Sequence, residues 1–257
     1  MGDQPIGVFD SGIGGLSILK ALRAALPAED FVYFADTAHA PYGERGDGYV
    51  IDRTRAILQQ LCDEHAIKAL VIACNTATAA AIHVARQEVP GLPIVGVEPA
   101  LKPAVALSRT HRIGVLATRG TLASDKFRVL HAGLREQAEF VLQPCDGLAD
   151  AIENRDTASI AELCERYAQA LGEFGTQPGQ IDTVVLGCTH YAFAQAQLAA
   201  CAGPGVHLIE TGEPVARHTV RLLTARAQLR AGGTGTIRLL GTGPLAALQA
   251  AATHWLS

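Results

Sequence analysis

The stretches ALVIACNTAT (residues 69–78) and TVVLGCTHYA (residues 183–192) share one pattern. Each has a short apolar run, a small residue, a cysteine and a Thr-containing polar step that leads into a predicted helix. Short Val-rich runs before a helix are typical of the βα units of parallel sheets. Because about one domain's length of chain separates the two cysteines, the repeat predicts two related α/β lobes, each with a cysteine at the carboxyl end of a strand.

The rest of the chain alternates in the same way between apolar runs and Ala- and Leu-rich stretches of helical length. The further runs are IGVFD (6–10), FVYFAD (31–36), PIVGV (93–97), RIGVLAT (112–118), EFVLQP (139–144), VHLIE (206–210) and IRLLGTG (237–243). They are continuous rather than alternating, which is typical of strands buried on both faces of a mostly parallel sheet flanked by helices. We expect a discontinuous first lobe from residues 1–98 and 211–257, and a second lobe from residues 99–210.

Composition narrows the possible classes of function. Apolar residues make up 49% of the 257-residue chain, which is enough for a full hydrophobic core. Lys and Arg total 21 against 25 Asp and Glu, so the chain lacks the broad cationic surface of a nucleic-acid binder. The opening residues do not resemble a signal peptide, and no run approaches the roughly 18 apolar residues of a membrane span. We therefore expect a cytoplasmic protein without a nucleic-acid or membrane partner.

Six cysteines stand at positions 62, 74, 145, 164, 188 and 201, too sparse for a disulfide scaffold and without a CxxC pair suited to zinc. Cys74 and Cys188 each follow a strand and precede a predicted helix. Unsatisfied backbone N–H groups and the positive end of a helix dipole favour thiolate at such a position. We expect the other four cysteines to be packed or idle thiols.

Two symmetric thiols favour proton transfer over nucleophilic attack, because a nucleophilic cysteine usually works with a dedicated histidine base rather than with a second thiol. One thiolate can remove a proton from a carbon while a thiol returns one to the opposite face, and the roles reverse with the hand of the substrate. The unperturbed pKa of a thiol, about 8.5, suits both roles. The chemistry that this symmetry predicts is racemisation.

Polar residues follow each cysteine and are candidates for substrate binding. Asn75 and Thr76 follow the first cysteine, and Thr189 and His190 follow the second. Their side chains supply donors for a carboxylate and an amine. His190 is also suited to stabilise or shuttle the proton of Cys188.

The first strand runs into a glycine-rich turn, DSGIGGLS (residues 10–17), that offers backbone N–H groups to an anion. Gly12 and Gly14 mimic a dinucleotide fingerprint, and Asp36 ends the next strand about where a ribose-binding acid stands. The third fingerprint position is Ser17 rather than Gly or Ala, however, and Asp10 stands where a pyrophosphate would approach. An anionic Asp10 repels phosphate but suits an ammonium group or a proton relay for a thiol.

Four motifs in order, VFDSGIGGLS (8–17), FADTAHAPYG (34–43), VIACNTATA (71–79) and VLGCTHY (185–191), resemble the glutamate racemases of the aspartate/glutamate racemase superfamily. The resemblance covers nearly the whole chain. It implies two pseudo-symmetric α/β lobes with the active site between them, and interconversion of L- and D-glutamate without pyridoxal phosphate, metal or nucleotide. It also implies that the D-glutamate supplies peptidoglycan synthesis, and hence cell-wall biogenesis and cell shape.

The resemblance assigns roles to the residues at the motif positions. Cys74 and Cys188 are the implied acid/base thiols; Asp10 assists the first and His190 the second. Glu153 is a further catalytic candidate, although its acidic, Ala-rich segment taken alone indicates a solvated helix charge. The implied substrate contacts are Asp10, Ser11, Tyr42, Gly43, Asn75, Thr76, Thr118, Thr121, Thr189 and His190. The sequence departs from the family at Ala192, where Pro is commoner, which changes the stiffness of a helix start more than the chemistry.

Other interpretations stay open at this point. An aspartate racemase would use the same two-cysteine chemistry. What separates it from a glutamate racemase is the length of the substrate, which depends on the volume of the cleft. A nicotinamide-dependent oxidoreductase would use the glycines of the first turn. A binding or regulatory protein would keep the fold without catalysis, although both cysteine motifs are intact. The expected partner is the small-molecule substrate glutamate, and family habit predicts a homodimer.

Overall fold

The computed structural model describes residues 2–256. Nine β-strands are present among these residues: β1 (Ile6–Asp10), β2 (Phe31–Ala35), β3 (Ala69–Ile72), β4 (Ile94–Gly96), β5 (Arg112–Ala117), β6 (Glu139–Pro144), β7 (Thr183–Leu186), β8 (His207–Ile209) and β9 (Ile237–Gly241). All nine apolar runs seen in the sequence therefore form strands.

Eleven α-helices are found in the same residues: α1 (Leu16–Ala25), α2 (Asp47–His65), α3 (Asn75–Glu88), α4 (Leu101–Leu107), α5 (Arg119–Ala123), α6 (Asp125–Ala132), α7 (Leu148–Glu153), α8 (Thr157–Leu171), α9 (Gln195–Ala202), α10 (Gly212–Ala225) and α11 (Leu245–Trp255). Three 3₁₀ segments cover Thr37–His39, Tyr42–Glu44 and Thr189–Ala194. None of the helices within residues 2–256 combines the length and apolar character that a membrane span requires.

The described residues divide into two compact units, the first drawn from Met1–Val97 and Gly212–Ser257 and the second from Glu98–Thr211. The first contains a five-stranded sheet in the order β4-β3-β1-β2-β9, and the second a four-stranded sheet in the order β6-β5-β7-β8. All strand pairings within both sheets are parallel. The predicted fold class, α/β with two parallel sheets flanked by helices, is confirmed.

In the first unit, β1 lies between β2 and β3, and the three strands run in register. Asp10 pairs with Ala35 at the end of β1, and Phe9 pairs with Ile72 at the end of β3. At the outer edge of β2, Ala35 pairs with Gly241 of β9. The residues that follow these four strands therefore emerge side by side at one edge of the sheet, where parallel α/β sheets bind ligands.

The sheet of the second unit is buried on both faces. Leu116 and Leu186 belong to one apolar cluster, together with residues of α7 and α8. Val115 and Val185 alternate with them along the strands and belong to a second cluster, with residues of α4 and α6. Because successive strand side chains point to opposite faces, burial of both faces explains the continuous apolar runs in the sequence.

Asp182 anchors the start of β7, at the end of the strand remote from Cys188. It is 3% exposed and accepts hydrogen bonds from the Ser108 hydroxyl at 2.6 Å and from the backbone N–H groups of Arg109 and Thr110 at 2.7 and 3.1 Å. Burial opposes ionisation, but these hydrogen bonds outweigh it and lower the pKa of Asp182 to about 2. The carboxylate therefore ties the loop after α4 to the central part of the sheet.

Candidate active site

Cys74 forms the N-cap of α3, as its place before a helix predicts. Its Sγ accepts a hydrogen bond from the N–H of Ala77 at 3.4 Å. The hydroxyl of Ser11, which follows the neighbouring strand β1, lies 3.7 Å from the same sulfur. The sulfur of a buried residue thus meets both the positive end of a 14-residue helix and a hydroxyl group.

Asp10 is fully buried at the end of β1, and its Oδ2 accepts a hydrogen bond from the N–H of Gly15 at 2.6 Å. A Cβ atom at Gly15 would lie 2.7 Å from Cβ of Asp10 and 3.0 Å from Cβ of Ala73, so only glycine allows this close approach. The glycine-rich turn therefore directs this N–H to the protein's own carboxylate. A pyrophosphate would meet that carboxylate, which disfavours dinucleotide binding here.

Asn75 carries a buried amide that the protein does not satisfy. Its exposure is 4%, and neither Nδ2 nor Oδ1 has a hydrogen-bond partner among residues 2–256. A buried polar group without a partner costs about 1–3 kcal/mol, so its presence next to Cys74 points to a ligand. Thr76, the next residue, is also buried.

Thr78 lies on the same helix and behaves differently. Its hydroxyl donates to the carbonyl of Ile72 at 3.1 Å and accepts from the N–H of Val97 at 3.0 Å. Thr78 is therefore a structural residue, which makes it a suitable reference for the unsatisfied Asn75.

Tyr42 and Gly43 lie in the 3₁₀ segment Tyr42–Glu44. Tyr42 is buried, and its hydroxyl donates to Oδ2 of Asp36 at 2.5 Å. Burial, this hydrogen bond and the charge of Asp36 raise the pKa of Tyr42 well above its ordinary value, and an electrostatic interaction with Cys74 adds to the shift. Tyr42 thus lies in the electrostatic surroundings of Cys74.

Asp36 does not fit the role of a ribose-binding acid. Its Oδ2 accepts from Tyr42 and from Nε of Arg53 at 2.8 Å, and its Oδ1 accepts from Nη2 of Arg53 and the hydroxyl of Thr242, both at 2.9 Å. A carboxylate has about four lone-pair sites, and these donors use all of them. The first turn therefore lacks the ribose-binding acid that a nicotinamide site would need.

Cys188 follows β7 and has a different setting from Cys74. The segment that follows is 3₁₀ rather than α-helical, and its N–H groups form no hydrogen bond with the sulfur. A helix follows Cys188, as expected, but it is a 3₁₀ helix, whereas an α-helix follows Cys74. Nδ1 of His190 lies 3.8 Å from the Cys188 sulfur instead.

His190 connects Cys188 to Glu153. Its Nε2 lies 2.8 Å from Oε2 of Glu153, whose side chain is 18% exposed and thus no freely solvated helix charge. Burial alone would lower the pKa of His190, but hydrogen bonds and charge interactions with Cys188 and Glu153 outweigh it and raise this pKa well above its ordinary value. The three side chains form a chain along which a proton and its charge can be shared.

Two buried tyrosines hold the turn that carries Glu153. The hydroxyl of Tyr191 donates to the carbonyl of Cys145 at 3.3 Å, and that of Tyr167 donates to the carbonyl of Asp146 at 2.5 Å. Gly147 follows with φ of 78° and opens α7, of which Glu153 is the last residue. The turn that precedes α7, the helix that ends at Glu153, is therefore held by side chains from later elements.

Thr118 and Thr121 form a turn at the end of β5. Thr118 is the N-cap of α5: its hydroxyl accepts from the N–H of Thr121 at 3.2 Å and donates to the Thr121 hydroxyl at 2.9 Å. The N–H of Gly187 donates to the carbonyl of Leu116 at 2.7 Å, so this turn adjoins the strand end that carries Cys188. Thr189 is buried directly after that cysteine.

The other four cysteines have settings that oppose ionisation. Burial raises the pKa of the thiols of Cys62, Cys145 and Cys164, to about 11 at Cys164. Cys201 is exposed, and a smaller loss of hydration and the nearby charge of Glu165 raise its pKa. Cys62, Cys164 and Cys201 lie within helices, and Cys145 follows β6. No group of three or more His, Cys, Asp and Glu side chains in the described part of the chain is arranged to hold a metal.

The sequence interpretation missed Arg53, Thr242 and Tyr167. Arg53 is one of several charged residues on α2, and Thr242 stands about 200 residues from Asp36 in sequence. Local spacing carries no signal for such contacts.

Comparison with known proteins agrees with this geometry. Residues 6–219 match the family model for Asp/Glu/hydantoin racemases. A glutamate racemase from Ralstonia pickettii is 48% identical over 248 residues, which cover 96% of this chain and 86% of the relative.

Among solved structures, a glutamate racemase from Bacillus anthracis matches with a TM-score of 0.87 at 30% identity, covering 100% of this chain and 95% of that one. The Francisella tularensis glutamate racemase, solved in complex with D-glutamate, matches with a TM-score of 0.84 at 27% identity, covering 100% and 94%.

The fold and these matches define an amino-acid racemase, as the sequence predicts. The chain belongs to the Asp/Glu/hydantoin racemase family.

Because the amide of Asn75 has no partner within the described residues, replacing it should weaken substrate binding without lowering the stability of the fold. Asn75→Leu should leave the free energy of unfolding unchanged or raise it by about 1 kcal/mol, because a buried amide without a partner is removed. The KM for the amino-acid substrate should rise at least tenfold. Urea unfolding and initial-rate kinetics measure the two effects.

Thr78→Val is the matched control on the same helix. It should lower the free energy of unfolding by about 1–2 kcal/mol, since it strands the N–H of Val97, while KM stays within about twofold. A marked loss of stability in Asn75→Leu, with KM unchanged, would contradict the ligand-binding role.

The contact between His190 and Glu153 predicts a pH effect. In Glu153→Gln the pKa of His190 should fall, because the imidazolium loses its carboxylate partner. A raised histidine pKa stabilises the fold fully below the unfolded value, near 6.5, and this contribution is lost as pH rises through the folded value. In Glu153→Gln, whose His190 has the lower pKa, the imidazolium and the stability it contributes should both be lost at lower pH than in the parent protein.

NMR titration of the His190 ring measures this shift. Glu162→Gln, which removes an exposed carboxylate paired with Arg166, is the control and should leave the titration of His190 unchanged. An identical His190 midpoint in Glu153→Gln and the parent protein would show that the carboxylate has no such role.

Proposed function

We propose that the protein is a glutamate racemase that interconverts L- and D-glutamate by proton transfer through Cys74 and Cys188, without a cofactor. The observation that carries the proposal is a buried thiol with a polar side-chain partner at the carboxyl end of a strand in each of two parallel sheets: Ser11 lies beside Cys74, and His190 lies beside Cys188. The assignment of glutamate draws on the named relatives, including the Francisella protein with bound D-glutamate.

In the proposed reaction, the thiolate on one face removes the α-proton as a new S–H bond forms. The electron pair of the broken C–H bond stays on the substrate and delocalises into its carboxyl group. The thiol on the other face then gives its proton to Cα, which inverts the centre. Each turnover exchanges the protonation states of the two sulfurs, so the opposite enantiomer returns them to the start.

We assign the neighbouring side chains to support these steps. His190 exchanges a proton with the sulfur of Cys188, and Glu153 balances the charge of the imidazolium. Ser11 and Asp10 serve the Cys74 side, where the hydroxyl lies 3.7 Å from the sulfur. We further assign substrate binding to the amide of Asn75 and to the other carried-over contacts: Thr76, Thr118, Thr121, Thr189, Tyr42 and Gly43.

Among the alternatives, an aspartate racemase would use the same two-thiol mechanism, and assays with both amino acids distinguish the two activities. The saturated carboxylate of Asp36 and the contact between Asp10 and Gly15 disfavour a nicotinamide-dependent oxidoreductase. The linked side chains of Cys188, His190 and Glu153 favour an enzyme over a binding protein without activity. We propose that the enzyme acts as a homodimer in the cytoplasm and supplies D-glutamate for peptidoglycan.

The proposal predicts isotope exchange that depends on both thiols. Purified protein, dialysed free of small molecules and given L- or D-glutamate in D₂O, should form the other enantiomer with deuterium at Cα. Cys74→Ser and Cys188→Ser should each lower kcat at least about 10²-fold, the usual contribution of a general acid or base. Chiral chromatography and proton NMR measure inversion and exchange.

Cys62→Ser and Cys201→Ser are the matched controls, and each should keep kcat within about twofold. The two-thiol mechanism is wrong if both site variants racemise at the parent rate. Faster turnover of aspartate than of glutamate would replace the proposed substrate but keep the mechanism.

A further inference from the structure

We propose that Asp36 is a positioning residue that fixes Tyr42, and with it the Tyr42–Gly43 turn, beside Cys74. The inference rests on the proposed function, in which this turn contacts the substrate. Asp36 lies directly after β2, at the same sheet edge as Asp10 and Cys74.

Asp36 joins three separate elements through one buried carboxylate. Tyr42 comes from the 3₁₀ segment, Arg53 from α2, and Thr242 follows β9. The hydroxyl of Thr242 also accepts from the N–H of Ala38 at 3.1 Å, which ties the start of the same loop. The loop that leads from Asp36 to Tyr42 is therefore held at both ends.

The charge of Asp36 is balanced by Arg53. Asp36 is fully buried, whereas the Arg53 side chain is 23% exposed. Burial raises the pKa of Asp36, but hydrogen bonds from Arg53, Tyr42 and Thr242 outweigh it, so the net pKa is lowered. The carboxylate is thus ionised at neutral pH and acts purely as an acceptor.

This polarity restricts what Tyr42 can do. Its hydroxyl has one proton, which is donated to Asp36 at 2.5 Å. The hydroxyl therefore has no proton left to donate to a substrate carboxylate. Its ring packs beside Phe9, with ring centroids 6.2 Å apart, in the apolar cluster that contains Cys74. Tyr42 accordingly serves as an anchor, and its backbone and that of Gly43 are left to meet the substrate.

An uncharged residue at position 36 would weaken this anchor. In Asp36→Asn one oxygen becomes an NH₂ group that accepts nothing, and the Arg53 cation loses its counter-charge. The turn would then have to be ordered by the substrate itself, at the expense of binding free energy. A loss of this kind appears in KM more than in kcat.

The test compares Asp36→Asn, Tyr42→Phe and the double variant, with both glutamate enantiomers as substrates. Each single variant should raise KM about tenfold and change kcat by less than about threefold. The double variant should be no worse than either single variant, because both remove the same interaction. Thr242→Val should raise KM less, and Thr242→Ser, which keeps the hydroxyl, should restore it.

Asp182→Asn is the matched control, since it removes an equally buried structural carboxylate in the other unit. It should lower the melting temperature without moving KM. If Asp36→Asn does not fold, Tyr42→Phe and the Thr242 pair decide the question.

The proposal is overturned if KM stays within twofold in the folded variants, if kcat alone falls, or if the effects of Asp36→Asn and Tyr42→Phe multiply. The proposed function fails separately, if the parent protein does not racemise glutamate.

Discussion

In each sheet the central strands are parallel and in register, so the residues that follow them lie side by side at one edge. Beyond this edge the chain turns away from the sheet, and side chains are free to form sites rather than core. Asp10 ends β1, Asp36 follows the neighbouring β2, and Cys74 follows the strand on the other side of β1. The N–H of Asp36 donates to the carbonyl of Asp10 at 3.0 Å, which continues the register beyond the strands. The chemistry of the site depends on this parallel, in-register strand pairing, which places Asp10, Asp36 and Cys74 at one edge of the sheet.

The two thiols occupy similar places but have different partners. Cys74 meets the first turn of a long α-helix and a serine hydroxyl, both of which stabilise negative charge without exchanging a proton readily. Cys188 meets a histidine whose raised pKa favours the cation, with Glu153 behind it. Repetition of the strand–cysteine pattern thus conserves position, whereas the electrostatic support of each sulfur comes from elements particular to its own unit.

The strands and the cap at Cys74 could be predicted from sequence because they depend on local patterns: apolar runs, and a cysteine between a strand and a helix. At Cys188 the local pattern predicts a helix but not its type, and a 3₁₀ segment follows. Glu153 contacts His190, and Asp36 contacts Thr242, although the partners are far apart in sequence. The spacing of residues along the chain therefore does not indicate these contacts. The family resemblance implies Glu153, whereas the role proposed for Asp36 depends on contacts that only the fold brings together.

The most direct test of the two-thiol account is a crystal structure with glutamate bound. The account predicts one Cα with the sulfurs of Cys74 and Cys188 on opposite faces, each at about 3.5 Å, the approach needed for reaction. Glutamate bound with both sulfurs on the same face of Cα, or with one of them too far away to exchange a proton, would contradict it.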